Sequence, residues 1–407
     1  MQILKGMKDV FYEDMDKYTH IVEVSSSVLK KYGYSRISTP ILEEYELFKR
    51  SSGEESDVVS KEMYDFNDKG DRHIALRPEG TAGIVRAYLE NKLNKVEAST
   101  KWFYYGTMYR YEAPQKGRFR EFNQIGIENF GQRHPLVDAS IIKMGIEILE
   151  KLGLKDLVVE INSLGDSKTL KDYTKKLKEY LLENYDKLSP TSKIRVEKNP
   201  LRVLDSKEDS DIILNAPKIR EFYSEESLAY FNEVLEYLEK MEVKYEINEK
   251  LVRGLDYYSD TVFEIKSSNL GAQSTVLAGG RYDRLLENFS GKKIPAIGFA
   301  AGIERLMLLL EEKSYKAKLE KVFIVYFDET KDYLFKVIKE LENSLVEINY
   351  ELEAKNFSNQ MKKANKWGAD KVIILGVDEI QKGVVSIKDF NNNTQEEISF
   401  DKIKEVK

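Results

Sequence analysis

The sequence predicts an α+β fold on three observations. A long β-hairpin pattern runs over residues 101–130. A Lys/Glu-rich, helix-patterned stretch over 164–249 separates two strand-bearing segments. A βαβαβ alternation occupies the end of the chain, from Val322 onward.

The elements follow in order. Tyr18, Ile21, Val22, Val28, Leu29 and Tyr32 recur at helical spacing, so 18–32 is expected as an amphipathic helix stopped by Gly33. An extended segment follows through Ile37 and Pro40. The hairpin strands come next, joined by a turn at Ala113-Pro114-Gln115-Lys116-Gly117. A second amphipathic helix is expected over 138–152, ended near Gly153. Within 164–249, Leu170, Tyr173, Leu177, Tyr180 and Leu181 share one helix face, and a second helical run covers Ser224 to Lys240. Strand and glycine-rich loop return from Leu251 to about Leu310, and the charged stretch Glu311–Lys321 reads as a linker. Last come apolar Val322–Phe327, a helical run to about Leu345, extended Tyr350–Leu352, a helix over Ser358–Lys366 and a strand at Val372–Leu375.

Bulk properties narrow the function. A chain of 407 residues fits two to three domains. No apolar run approaches the roughly 20 residues that span a membrane. Met1-Gln2-Ile3-Leu4-Lys5 lacks a signal-peptide layout, so a cytoplasmic protein is expected. With no cysteine, disulfides and thiolate metal sites are excluded. The three histidines, His20, His73 and His134, stand far apart, so no dedicated metal site is expected. A net charge of −6 argues against general nucleic-acid binding and would confine RNA contact to local basic patches.

Four constellations carry chemistry. On the first hairpin strand Trp102, Tyr104, Met108, Arg110 and Glu112 share a face by alternation; on the second, Arg120, Phe122, Gln124, Glu128 and Phe130 do. A half-buried strand normally separates apolar from polar faces. This mixture suits either a solvated sheet face or a floor for a charged, planar ligand. Phe122 could stack on a base, Arg110 meet a phosphate in bidentate fashion and Glu112 accept from an amine. Ala296–Leu306 reads as a strand, a glycine junction and a helix with Arg305 in its first turn, either an anion site or an ordinary helix start. Arg253-Gly254-Leu255-Asp256-Tyr257-Tyr258 and Ala278-Gly279-Gly280-Arg281-Tyr282-Asp283 place glycines beside charged and aromatic groups, as a ligand site or as a turn with packed tyrosines. Leu76-Arg77-Pro78-Glu79-Gly80-Thr81 is a turn into a helix, where a simple cap explains the residues equally well.

Taken together, these motifs resemble one family. Tyr32–Pro40 looks like motif 1 of class II aminoacyl-tRNA synthetases, Met108–Glu112 with the loop to Phe122 like motif 2, and Gly298–Arg305 like motif 3. Arg253–Tyr258 and Ala278–Asp283 are similar to the two histidine-specific motifs of the histidyl-tRNA synthetases. The resemblance runs from Gly6 nearly to the C-terminus. It implies an antiparallel catalytic sheet with flanking helices, in two parts (1–163 and 250–313), a helical insertion (164–249) and an α/β anticodon-binding domain (319–407). It also implies a homodimer with motif 1 at the interface, L-histidine, ATP and tRNA(His) as substrates, and Mg²⁺ bound with ATP.

The resemblance further implies roles for single residues. Arg110 would hold the ATP α-phosphate and the histidine carboxylate, and Arg253 would sit at the α-phosphate. Arg305, beside Gly302, would hold the γ-phosphate. Glu112 and Arg118 would contact ATP, and Phe122 would stack on adenine. Glu79, Gly80, Thr81 and Gln124 would line the amino-acid backbone site. Glu128 and Tyr258, with Tyr257, would receive the imidazole. Lys362, Lys363 and Lys366, with Asn365, Trp367 and Lys371 around them, form the best tRNA patch, or else a solvated helix face. Ala113 stands where the family often has arginine, and Asn123 at a variable position. The alternatives are a non-catalytic relative, such as a regulatory subunit of ATP phosphoribosyltransferase or a tRNA-sensing domain, and a sister synthetase. The former usually lack the C-terminal domain and lose active-site arginines; a threonine enzyme would need zinc ligands.

Overall fold

The computed structural model describes residues 1–53, 56–115, 117–255, 257–267, 275–311, 315 and 319–405. The chain divides into two compact units, Met1–Tyr315 and Lys316–Lys407.

The first unit is built on an eight-stranded sheet, whose strands are β1 (Ser35–Arg36), β5 (Thr100–Tyr109), β6 (Glu121–Phe130), β7 (Leu157–Ser163), β8 (Tyr245–Ile247), β9 (Ser259–Ser267), β10 (Thr275–Arg281) and β11 (Ala296–Gly302). Their spatial order is β1-β5-β6-β11-β10-β9-β7-β8. The six central strands are antiparallel, as expected. The two outer pairs, β1 with β5 and β7 with β8, are parallel. The physical reason is connection length: parallel neighbours need a long crossover, and 37–99 and 164–244 supply one each. The first crossover holds a small sheet, β2 (Leu42–Glu44), β3 (Tyr64–Asn67) and β4 (His73–Leu76), with α2 (Tyr45–Ser52) and α3 (Thr81–Glu90).

One face of the large sheet is apolar. Phe103, Ile125, Ile127, Phe263, Ile265, Ile297 and Phe299 are buried there under α1 (Glu13–Lys31), α4 (Pro135–Lys151) and α8 (Glu225–Lys240). Helix α1 begins five residues earlier than its apolar pattern. Glu13, Asp14 and Asp16 in its first turn and Lys30 and Lys31 in its last suit the helix dipole. The helical stretch 164–249 serves two cores. α5 (Ser167–Glu183), α6 (Pro190–Lys198) and α7 (Ser210–Leu214) enclose a cluster around Leu177, Leu181 and Val196, while Phe231, Val234 and Leu238 of α8 join the sheet core. α9 (Asp283–Ser290) and α10 (Ile303–Met307) follow β10 and β11.

The second unit is a five-stranded sheet in the order β13 (Val346–Tyr350), β12 (Glu320–Tyr326), β14 (Lys371–Leu375), β15 (Val384–Asp389), β16 (Thr394–Ser399). β12, β13 and β14 are parallel, matching the βαβαβ alternation, with α11 (Lys331–Glu340) and α12 (Phe357–Trp367) as crossovers. α13 (Val377–Lys382) then leads to an antiparallel hairpin, β15–β16, that the alternation did not reveal. The edge strand Thr-Gln-Glu-Glu-Ile-Ser has no apolar period because both of its faces are largely solvated. The strand expected at Tyr350–Leu352 ends at Tyr350; Leu352 is 88% exposed.

Candidate active site

The face of the large sheet opposite the apolar core is floored by small residues. Gly106 pairs with Gln124, Tyr104 with Gly126, Gly298 with Glu128, Gly280 with Gly298, and Ala278 with Ala300. A Cβ at Gly298 would run into the Glu128 carboxylate, and one at Gly126 into the Tyr104 ring. The missing side chains leave a cavity of about 810 Å³ over the central strands. Its size suits a drug-sized or nucleotide-sized ligand.

Arg110, Arg118, Arg253 and Arg305 all line this cavity, with Glu79, Thr81, Glu112, Phe122, Gln124, Glu128, Tyr257, Tyr258 and Gly302. Of the expected residues of this unit, Gly80 alone is set behind the wall, where a Cβ would strike the Tyr104 ring. The mixed hairpin face therefore divides along its length. Its middle opens to the cavity, whereas Trp102 and Phe130 pack with Tyr88 of α3, and Met108 is fully buried. Arg110 and Glu112 lie just past the end of β5 at Tyr109. Asp256 and Lys116 lie outside the described residues.

The basic end is built from side chains tied to neighbouring backbone. Arg110 donates from Nε to the Pro78 carbonyl at 2.8 Å and stands over the Phe122 ring, 5.4 Å from its centroid. Glu112 lies between Arg110, at 3.7 Å, and Arg118, at 3.6 Å. Arg305 donates to the Thr275 carbonyl at 2.9 Å. Arg253 pairs with Glu264 through Nη1, while its Nε is buried without a hydrogen-bond partner among the described residues. A guanidinium in the wall of a cavity is suited to an anionic ligand.

The other end is polar but deeply buried. Glu128 accepts from the Thr81 hydroxyl at 2.7 Å and from the Tyr282 hydroxyl. Burial pushes its carboxyl up to about 8, against the two hydrogen bonds and with the help of the nearby Glu79 charge. Burial likewise holds the phenols of Tyr104, Tyr257 and Tyr282 well above the usual tyrosine range, so all three keep their protons. Tyr257 lies 4.8 Å from Tyr258 and 5.8 Å from Tyr282, ring to ring. Glu79 accepts from the Thr81 and Ala82 N–H groups at 2.6 and 2.8 Å, so it does cap α3 and faces the cavity as well.

Several lining residues carried no mark in the sequence reading: Asp57, Glu62, Arg202, Asp205, Lys207, Glu264 and Thr275. Glu264 had a usable signal, since a carboxylate stands alone in the otherwise apolar alternation Val262-Phe263-Glu264-Ile265. Arg202 and Lys207 come from the helical stretch and looked like any solvated cations. Asn123 faces Glu304, which accepts from its backbone N–H at 2.9 Å and its side-chain amide at 2.8 Å, and Ala113 is exposed in the hairpin turn. Neither departure lines the cavity.

In the second unit Lys362, Lys363 and Lys366 are exposed on α12. Lys363 is paired with Glu351 at 2.7 Å and Lys371 with Glu320 at 3.0 Å. Trp367 packs 6.2 Å from Phe323, ring to ring, beneath the Lys321 ammonium. The lysine patch is therefore thinner than its sequence suggests.

Comparison with known proteins is consistent across sequence and structure. The family model described as histidyl-tRNA synthetase matches residues 6–306, and that of an anticodon binding domain matches 321–406. A histidine–tRNA ligase of Halothermothrix orenii is 42% identical over 400 residues, covering 97% of this chain and 96% of that protein. One of Dictyoglomus turgidum is 41% identical over 409 residues, covering 99% and 98%. The crystal structure of apo Staphylococcus aureus histidyl-tRNA synthetase superposes with a TM-score of 0.82 at 34% identity, over 100% of this chain and 99% of that one.

Proposed function

The chain belongs to the histidyl-tRNA synthetase family, and on that premise we propose how its cavity carries out histidine–tRNA ligation. The enzyme is an aminoacyl-tRNA synthetase that uses ATP to join histidine to tRNA. In the first step a histidine carboxylate oxygen attacks the α-phosphorus of ATP. The bond from that phosphorus to the β-phosphate oxygen breaks, giving histidyl-adenylate and pyrophosphate. In the second, a ribose hydroxyl at the 3′ end of tRNA(His) attacks the adenylate carbonyl and AMP departs.

The attacking carboxylate is already ionised, so step one needs position and positive charge rather than a base. Arg110 holds the α-phosphate and the histidine carboxylate together. Arg253, in the cavity wall, meets charge developing at the α-phosphate. Arg305, beside Gly302, takes the γ-phosphate, with Arg118 and Glu112 around the nucleotide. Phe122, already beneath the Arg110 guanidinium, offers its ring to adenine. Glu79, Thr81 and Gln124 form the wall at the amino-acid backbone, with Gly80 behind it. Glu128 and Tyr258, flanked by Tyr257, hydrogen-bond the two imidazole nitrogens. Mg²⁺ bound with ATP would supply further positive charge along the triphosphate. Glu112 and Glu264, two of the carboxylates that line the cavity, would supply the hard oxygen donors Mg²⁺ takes from a protein, one or two at a time.

The second unit reads the tRNA anticodon, with Lys362 and Lys366 as its phosphate contacts. The enzyme acts as a homodimer in the cytoplasm, with Tyr32–Pro40 at the subunit interface. Supporting this, β1 is an outer strand of the sheet, and Ile41 and Leu42 just beyond it are 41% and 46% exposed. No helix among the described residues is long and apolar enough to cross a membrane.

One observation carries the reading: three arginines from three separate motifs meet around one floor with a buried carboxylate at its far end. Charging of tRNA(His) with labelled histidine tests it. The wild-type chain forms histidyl-tRNA with ATP; a folded wild-type chain that forms none contradicts the assignment.

A further inference from the structure

We propose that Arg281 is a positioning residue for histidine recognition, setting Tyr282 and Glu128 in register from the far side of the sheet. The inference rests on the reading of Glu128 as the imidazole acceptor. Arg281 ends β10, and its side chain passes into the α4–α8 face, whereas Tyr282 turns into the cavity to donate to Glu128. The two neighbours thus straddle the sheet.

The Arg281 guanidinium is fully buried, and every edge of it is engaged. Nε donates to both Asp138 oxygens, at 3.0 and 3.1 Å, and to the Tyr230 hydroxyl at 3.0 Å. Nη1 reaches Asp283 at 3.3 Å. Nη2 donates to Asp138 at 2.7 Å and to the Gln132 carbonyl at 3.1 Å. Burial works against the charge, and Asp138 and Asp283 overcome it, so the group stays protonated. Asp138 is equally buried.

A buried ion pair is weak evidence for stability, because a well-packed apolar pair often holds a fold as well. Its distinctive property here is direction. One planar fork fixes the strand end that carries Tyr282, and also the carbonyl two residues beyond β6, the strand that carries Glu128. Asp283 extends the clamp by accepting from the Ala296 N–H at 2.8 Å, at the start of β11. β6, β10 and β11 are thereby tied together at the end nearest Glu128. A hydrogen bond in a catalytic site tolerates little displacement, so slack here reaches the imidazole acceptor directly.

The test compares Arg281→Lys, Tyr282→Phe and the double variant. Lysine keeps the charge and loses the fork. Arg281→Lys should raise the histidine KM about tenfold and leave the ATP KM within about twofold. The double variant should be no worse than Tyr282→Phe alone, because both changes act through one hydrogen bond. Equal changes in both KM values, or multiplicative losses in the double variant, overturn the positioning role. Should Arg281→Lys fail to fold, Tyr230→Phe removes one partner of the guanidinium and must show the same selective rise; an unchanged histidine KM there overturns it too. If Tyr282→Phe and Glu128→Ala both leave the histidine KM unaltered, the imidazole assignment itself fails, which is a different result from a silent Arg281→Lys.

Discussion

Glu264 accepts from the Arg253 guanidinium on one carboxylate oxygen and from the Thr275 hydroxyl, at 2.6 Å, on the other. The Thr275 carbonyl in turn accepts from Arg305 at 2.9 Å. One carboxylate thereby couples the two arginines assigned to opposite ends of the triphosphate. Losing a preorganised cation at a developing charge typically costs on the order of 10²–10³-fold. Arg253→Ala should lower kcat by that factor while substrate binding changes less. Glu264→Gln should show a smaller loss of the same kind, because Arg253 remains but is no longer aimed. Near-normal adenylate formation by Arg253→Ala in a single turnover refutes its role.

Glu128 should govern the amino acid and not the nucleotide. Leaving a buried polar group without its hydrogen-bond partner costs about 1–3 kcal/mol, or roughly 5–150-fold. Glu128→Ala should raise the histidine KM by that factor and leave the ATP KM nearly constant. An unaltered histidine KM removes the assignment.

The same carboxyl makes a stability prediction. Its folded value, about 8, lies above the ordinary glutamate value of 4.5. Between those values the folded chain holds a proton that the unfolded chain has released, so unfolding free energy falls as pH rises from 4.5 to 8. The slope for one full proton is about 1.4 kcal/mol per pH unit. Glu128→Gln removes that contribution, so the wild type should lose stability more steeply than the variant over this window. Parallel denaturation curves for the two, measured from pH 5 to 8 without substrates, contradict the buried, protonated carboxyl.

Much of the cavity was legible because it rests on period and on small residues. Alternation along 101–130 placed Gln124 and Glu128 on one face, and the glycines from 298 to 302 marked a junction between strand and helix. The ends of the hairpin misled, since Trp102 and Phe130 obey the same alternation yet pack under α3. Period records which side a residue faces, not what covers it. Arg202 and Lys207 were invisible for another reason: they reach the cavity through a tertiary approach of the helical stretch that no local pattern encodes. Arg281 read as part of a ligand site or of a turn, because a buried arginine and a solvated one look alike until Asp138, 143 positions earlier, is brought beside it.

The second unit should separate activation from charging. Its net charge from Lys321 to Lys407 is −2, with fourteen lysines and sixteen acidic residues, so RNA contact must be local. Deleting 319–407 should leave histidine-dependent pyrophosphate exchange detectable and cripple tRNA charging; normal charging by the truncated chain removes the anticodon reading. With Lys363 engaged by Glu351, alanine at 362, 363 and 366 should flatten the salt dependence of tRNA binding by about two phosphate contacts, at roughly 0.7–0.9 in log–log slope each. An unchanged slope removes the patch alone.

This cavity should activate histidine and no other amino acid. ATP–pyrophosphate exchange with the wild-type chain, run separately with each of the twenty amino acids, measures that selectivity. Exchange should depend on histidine and stay at background with the other nineteen, because a buried site built to bond both ring nitrogens leaves unpaired polar groups against any other side chain. Exchange driven as well by another amino acid, or absent with histidine, would contradict it.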